Sequence, residues 1–191
     1  MTRYEMRLGG TGGQGIILAG ILLAEAGVVG NHHAIHAQNY GPEARGGKSI
    51  SEVIFSDREI DYPRTVALDL LVALNQRACD DNLEAMKETG LVIVDSDYVK
   101  RPLWGKVLRA QIVRRARDRF GGERVANMIA LGLVVPFCPY VTPRSMATVL
   151  KNRLSGPMLD TNLRAFKDGL KVARKMAKDL TVEEIEGAVE V

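Results

Sequence analysis

Cysteine is scarce in this chain. Only Cys79 and Cys138 occur among 191 residues, far apart and in no C-x-x-C. Two such residues build neither a disulfide-stapled secreted module, nor a four-cysteine zinc site, nor a self-contained iron–sulfur cluster. They point to a reducing, cytoplasmic compartment. Aromatic residues make up 5% of the chain, which disfavours a base-stacking nucleic-acid binder. No apolar run is long enough for a membrane span. The most apolar stretch, 128–141, is short and broken by Pro136 and Pro139. The start of the chain lacks the basic end, apolar run and cleavage site of a secretory signal.

What is present suffices for a folded domain. Hydrophobic residues are 46% and charged residues 26%, close to the globular average. The length favours one domain, read as residues 1–180, followed by an acidic tail, 181–191. The net charge of +3 says little about partners, but its layout is uneven. Residues 100–124 hold nine Lys/Arg against two acids, and residues 179–191 hold five acids and no base.

The pattern along the chain is strand, glycine turn, helix. Residues 3–8 alternate polar and apolar, Gly9 to Gly15 holds the glycines, and Ile16 to Ala26 is almost continuously apolar. A second strand is expected over His33–Gln38, then a loop over 39–47. Ser49–Phe55 alternates, and a turn at 56–58 predicts a hairpin with a return strand, Glu59–Tyr62. Leu68–Leu74 and Leu91–Val94 read as buried strands flanking a helix over Gln76–Glu88. Further helices are expected over Ala110–Phe120, over Val125–Val135, from Thr142-Pro143, and over Asn162–Asp179. The fold class is α/β: a single layered domain, a mixed sheet flanked by helices, and a Rossmann-like glycine turn after the first strand.

Gly10, Gly12 and Gly15 satisfy G-x-G-x-x-G between a strand and a helix. The dinucleotide fingerprint also wants an acid about 20 residues on, to hold a ribose hydroxyl. That region reads His33-Ala-Ile-His-Ala-Gln38 and has none. No Lys-Ser/Thr follows the turn, so it is not a Walker A loop. Gln14 brings a side-chain amide to the turn. Two readings stand: a tight turn packing helix on sheet, or a phosphate cradle. In the second loop, Tyr40-Gly-Pro-Glu43-Ala-Arg45-Gly-Gly47, solvated charges are the default and a subunit interface comes next. His32, His33 and His36 give no settled metal geometry. The arginines of 110–119 suit a solvated face, or a surface meeting an acidic neighbour.

Three motifs in order carry a resemblance: Gly10-x-Gly-Gly-Gln-Gly-Ile16, Gln38-Asn-Tyr-Gly-Pro-Glu-Ala-Arg-Gly-Gly47, and Ser51-Glu-Val-Ile-x-Ser-x-x-x-Ile-Asp-Tyr-Pro63. Asp69–Gln76, the strand at 91–95, Asn127 with Leu131-Gly132, and Asn162 with Ala165-Phe166 extend it. Together they resemble the gamma subunit of 2-oxoacid:ferredoxin oxidoreductases over residues 3–175, and the second loop looks most like the 2-oxoglutarate (KorC-type) branch.

The resemblance implies a complex that decarboxylates a 2-oxoacid on thiamine diphosphate and Mg2+. That complex passes electrons through iron–sulfur clusters to ferredoxin and forms an acyl-coenzyme A. It implies alpha and beta partners, and a delta subunit where the complex has one. The gamma chain is then inactive alone, with no catalytic or metal residue and no cofactor of its own. Neither nucleic acid nor a membrane is an expected partner, and the isolated chain can self-associate through its orphaned interface. Gly10, Gly12, Gly13, Gln14, Gly15, Tyr40, Gly41, Pro42, Glu43, Arg45, Gly46 and Gly47 are expected to form ligand or interface loops near the sheet edge. The contrasting readings are a stand-alone nucleotide-binding Rossmann-like oxidoreductase and a basic-surface binding module.

Overall fold

A computed structural model describes residues 3–41 and 46–187. Its centre is a six-stranded sheet of order β2-β3-β1-β4-β5-β6. The strands are β1 (Arg3–Thr11), β2 (His33–Tyr40), β3 (Lys48–Ser56), β4 (Leu68–Ala73), β5 (Met86–Asp95) and β6 (Val107–Ala110). The helices are α1 (Ile16–Val29), α2 (Gln76–Asp80), α3 (Ile112–Phe120), α4 (Ala126–Val134), α5 (Pro143–Arg153) and α6 (Gly156–Gly187). β1, β4, β5 and β6 run parallel, whereas β3 is antiparallel to both β1 and β2. The expected mixed α/β sheet is therefore present.

β1 alternates, and so sorts its side chains between two faces. Tyr4, Met6 and Leu8 join the main core with α1, α4, α5 and α6. A smaller core on the other face gathers Leu71, Ala78, Cys79, Val92, Val94 and Val99. That face also carries the charges of β1. Arg7 donates to Glu52 (2.6 Å), Thr65 (2.7 Å) and Asn82 (2.8 Å).

No strand forms at Glu59–Tyr62, and the charges of β1 hold the chain that follows it. Arg3 donates to the carbonyls of Tyr62 (3.0 Å) and Arg64 (2.6 Å), and the buried Glu5 carboxylate accepts from the amides of Val66 and Ala67. Backbone groups from Tyr62 to Ala67 are thus taken by side chains, and Pro63 offers no donor. Segment 57–67 becomes an irregular strap across the sheet, and the hairpin runs from β2 to β3 instead.

The helix expected over Gln76–Glu88 stops at Asp80. Asn75 caps it by accepting from Ala78 N (2.8 Å), and buried Asn82 donates back to the Ala78 carbonyl (2.6 Å). The residues beyond are drawn into β5, where Met86 pairs with Leu68. β6 is not among the expected strands; of its residues only Ala110 falls in the helix read over Ala110–Phe120, which begins at Ile112 instead. The first turn of α3 is held by Asp95, fully buried, which accepts from Val113 N (2.8 Å). Burial pushes the Asp95 carboxyl up, while the amides of Val113 and Asp97 pull it down.

α4 is buried on every side and crosses α6 at two glycines. A Cβ on Gly132 would lie 2.2 Å from the Phe166 carbonyl oxygen, and one on Gly169 2.1 Å from that of Ile129. α5 begins at a capping box in which Thr142 and Ser145 satisfy each other's amides. α6 begins earlier than expected, and its backbone continues through the acidic segment to Gly187, so that segment extends the helix away from its own basic stretch. No helix among the described residues is long and apolar enough to cross a membrane.

Gly132→Ala and Gly169→Ala should each destabilise the chain by about 1–3 kcal/mol through overpacking, read as a lower urea midpoint. Asp95→Ala should free the first turn of α3 and cost about 1–3 kcal/mol in the same measurement.

Candidate functional site

Parallel β1 and β4 end side by side, and their following helices pack on opposite faces. α1 belongs to the main core and α2 to the smaller one. Such a divergence leaves a crevice at the carboxyl ends of the strands. A cleft of about 430 Å3 lies there, lined by Gly10, Thr11, Gly46, Gly47, Lys48, Asn75, Gln76, Arg77 and Ala78.

The glycine turn is built from local needs. Gly15 caps α1 with φ of 71°, a left-handed conformation that a side chain disfavours, and a Cβ there would lie 2.4 Å from Asn127 Nδ2. Asn127 spans from α4 to this turn, donating to the Gly15 carbonyl (3.3 Å). Gln14 folds inward, and its Oε1 accepts from Thr11 N (2.8 Å). The same oxygen lies 2.4 Å from where a Cβ of Gly10 would sit. The face of Gly10 that a dinucleotide loop would open to pyrophosphate is thus filled by the chain's own amide. Together with the missing ribose acid, this weighs against the stand-alone dinucleotide enzyme.

The two sequence-derived loops do meet. Gly12 N donates to the Gly47 carbonyl at 2.9 Å, and Gly41 N to that of Lys48 at 2.7 Å. Tyr40 pairs with Ser49 at the end of the β2–β3 ladder. Gly10, Gly12, Gly13, Gln14, Gly15, Gly41, Gly46 and Gly47 therefore share one rim of the sheet. Pro42, Glu43 and Arg45 lie outside the described residues.

The cleft brings in residues that the motifs alone did not mark as a site. Lys48 Nζ sits 2.9 Å from Asp81, and Arg77, with its side chain 70% exposed, is 3.6 Å from the same carboxylate. Lys48 and Arg77 bring cationic side chains to the mouth beside Asp81, with Asp80 bonded to Gln76 nearby, and such cations can meet a carboxylate or phosphate. Gln76 holds the 96–101 loop in place by accepting from Lys100 N (2.9 Å) and Arg101 N (3.1 Å). The signal for these residues was positional: Asn75 and Gln76 directly follow a buried strand.

A larger groove, about 820 Å3, opens on the helical side of the same rim. Leu18, Leu22, Phe120, Met128, Leu154 and Met158 give it apolar walls, with Arg124 and Arg153 among its polar lining. It also contains Asn127 and Asn162, two positions of the sequence resemblance.

Elsewhere the candidates resolve into structure. His36 Nε2 lies 2.7 Å from Ser51 Oγ, and burial lowers the basicity of its ring. His32 stacks edge-on against Tyr140 and lies 3.6 Å from Asp57. The arginines of α3 meet acids of their own chain: Arg114 with Asp97 (2.9 Å), Arg115 and Arg119 with Asp168, and Arg117 with Glu123 (2.5 Å). Cys79 and Cys138 are buried in different cores, and burial pushes the Cys138 thiol up to about 12. Two thiols buried in separate cores do not supply the four cysteine ligands of an iron–sulfur cluster.

Residues 5–172 match the family model described as pyruvate ferredoxin/flavodoxin oxidoreductase. The chain is 38% identical to the 2-oxoglutarate synthase subunit KorC of Methanocaldococcus jannaschii, over 91% of this chain and 96% of that protein. It is 39% identical to KorC of Methanothermobacter thermautotrophicus, over 87% and 93%. A crystal structure of the keto/oxoacid ferredoxin oxidoreductase gamma subunit from Geobacter sulfurreducens superposes with a TM-score of 0.82. That chain is 38% identical, and the match covers 92% of this chain and 98% of that one. The same fold, at 22% identity and a TM-score of 0.83, occupies 32% of a longer chain in 2-oxoglutarate:ferredoxin oxidoreductase from Magnetococcus marinus. With nearly its whole length matched in sequence and in fold, the chain belongs to the pyruvate ferredoxin/flavodoxin oxidoreductase family.

Proposed function

We propose that this chain is the gamma subunit of a cytoplasmic 2-oxoglutarate:ferredoxin oxidoreductase. The observation that carries the reading is end-to-end similarity to KorC subunits, which are separate chains of nearly this length. The complex oxidatively decarboxylates the 2-oxoacid to an acyl-coenzyme A and passes the electrons to ferredoxin. The gamma chain supplies no redox centre. Its two cysteines are buried apart, and it has no Gly-Asp-Gly start to a thiamine and magnesium motif. Thiamine diphosphate, Mg2+ and the iron–sulfur clusters belong to the alpha and beta chains, and to a delta chain where one exists.

Its own contribution is a surface. The glycine turn, together with Gly41, Gly46 and Gly47, forms a shaped rim that faces the companion subunits close to bound substrate or coenzyme A. Lys48 and Arg77 lie at the cleft mouth, and Arg45 is close by in sequence. These cations would meet a carboxylate or phosphate there, while Gln14 and Asn127 keep the turn rigid. A rim tied to the sheet by hydrogen bonds positions such charges with little reorganisation.

Isolation from the native source should yield this chain with two or three others, brown with iron–sulfur clusters. A colourless chain without partners at any ionic strength overturns the assignment. In the assembled complex, Arg45→Ala and Lys48→Ala should each raise the apparent KM for coenzyme A or 2-oxoglutarate several-fold, with subunit stoichiometry unchanged. Unchanged KM values in an intact complex would make the rim an interface only.

A further inference from the structure

The two edges of the sheet differ. β6 closes one of them with four residues, among them Arg109, so that edge is short and charged. β2 forms the other with eight residues, His33–Tyr40. Those eight include no Lys, Arg, Asp, Glu or Pro, and their ladder with β3 runs without a bulge. Charge, proline, bulges and shortness are the devices that keep an edge strand from pairing with another chain, and β2 has none of them. Its outward backbone groups follow from the ladder. Gly41 N donates to the carbonyl of Lys48, the residue opposite it in the β2–β3 register. Antiparallel alternation then turns the amides and carbonyls of Asn39, Ala37, Ile35 and His33 toward β3. Those of Ala34, His36 and Gln38 point outward, and among the described residues no strand lies beside them.

The helical layer is open at the same place. α1 lies over β2 and β3. Between α1, α5 and β2 is a hollow of about 500 Å3, walled by Ile21, Ala24, Val28, Val29, Ala34 and Val149. Val28 is 57% exposed and Val29 44%. The acid in this hollow, Glu25, is already paired with Arg153. A strand edge without charge and an apolar helix flank therefore lie next to each other.

A second copy of the chain fits both. Antiparallel pairing of β2 with β2, about a two-fold axis normal to the sheet, keeps both α1 helices on one side of the joined sheet. Their apolar flanks then face each other across the seam, in the isologous arrangement that closes as a dimer. With Ala37 opposite Ala37, His36 of one copy lies opposite Gln38 of the other, so outward groups meet outward groups. The side chains on the axis are then two methyl groups, which do not obstruct the approach. An edge of this length spans about 27 Å, and strand plus helix make a band roughly 20 Å deep. Two copies would bury about 1,000 Å2 in total, the area at which an interface becomes specific.

We propose that β2 is a self-association edge, through which two copies join antiparallel about Ala37 into one continuous sheet, with α1 packed beside α1. Backbone hydrogen bonds and apolar area hold the pair, so salt has little influence on it. This inference concerns the chain by itself and does not rest on the function proposed above.

The test is sedimentation equilibrium of the full chain at about 100 μM, above the micromolar dissociation constant that a small interface can have. A dimer is expected at both about 20 mM and about 500 mM salt. Gln38→Pro removes an outward amide and puts a ring in its place, without costing a bond to β3, and should weaken the dimer at least about tenfold. Ala37→Cys should form a disulfide-linked dimer under mild oxidation. A directly opposed, non-hydrogen-bonded pair brings its Cα atoms to about 4.5 Å, within disulfide reach. The unaltered chain should not cross-link, because Cys79 and Cys138 are buried. The cross-link decides the matter even if Gln38→Pro fails to fold. A chain monomeric at this concentration, a dimer indifferent to Gln38→Pro, or an Ala37→Cys chain that stays uncross-linked would each overturn the proposal. So would a monomer whose β2 amides become protected from hydrogen exchange only on adding companion subunits, since the edge would then belong to them.

Discussion

Glu5 and Arg7 lie on the central strand, mostly out of water, and buried charges must be paired or the fold loses several kcal/mol. Much else on that face follows from this requirement. Arg7 needs Glu52 from the antiparallel neighbour, which ties β3 against β1. Glu5 needs the amides of Val66 and Ala67, which drags the strap across the sheet. Asn82, used by Arg7, also terminates α2 and so shapes the wall of the cleft. Asp69 continues the layer with Lys87 at 2.7 Å and accepts from Glu5 N. The apolar face supplies most of the burial energy, while this polar face decides the path of the chain.

The site inherits its rigidity from the same arrangement. The glycine turn is closed by Gln14, braced by Asn127 and bonded to Gly47, so each contact at the rim is anchored in either the sheet or α4. On the function proposed above, the chain contributes through placement: a surface that holds cations and backbone donors in fixed positions for groups carried by other chains.

Local features were legible in the sequence. The turn at Gly10–Gly15, the buried apolar helix after it and the Thr142-Pro143 start depend on neighbours within a few residues. The glycine and Tyr40–Gly47 motifs also pointed to one place, because both follow strand ends. What failed depended on distant partners. Glu59–Tyr62 alternates like a strand, yet Arg3 and Glu5, more than fifty residues earlier, claim its surroundings. Gln76–Glu88 has helical composition, but β4 offered Met86 a better place. Lys48 and Arg77 are ordinary surface residues until the fold sets them beside one carboxylate, and no spacing rule connects positions 48 and 77.

The connection from β2 to β3 joins two strands paired along eight positions, from His33 with Ser56 to Tyr40 with Ser49. Its ends are fixed by the ladder, and through Gly47, which accepts from Gly12 N, they meet the rim. Lengthening such a connection costs little, because closure entropy grows slowly with loop length. Substitutions there leave the buried charges of β1 and the glycine crossing of α4 with α6 untouched. The architecture therefore keeps the contacts that hold the fold apart from the connection at the rim, so stability and recognition can be altered independently.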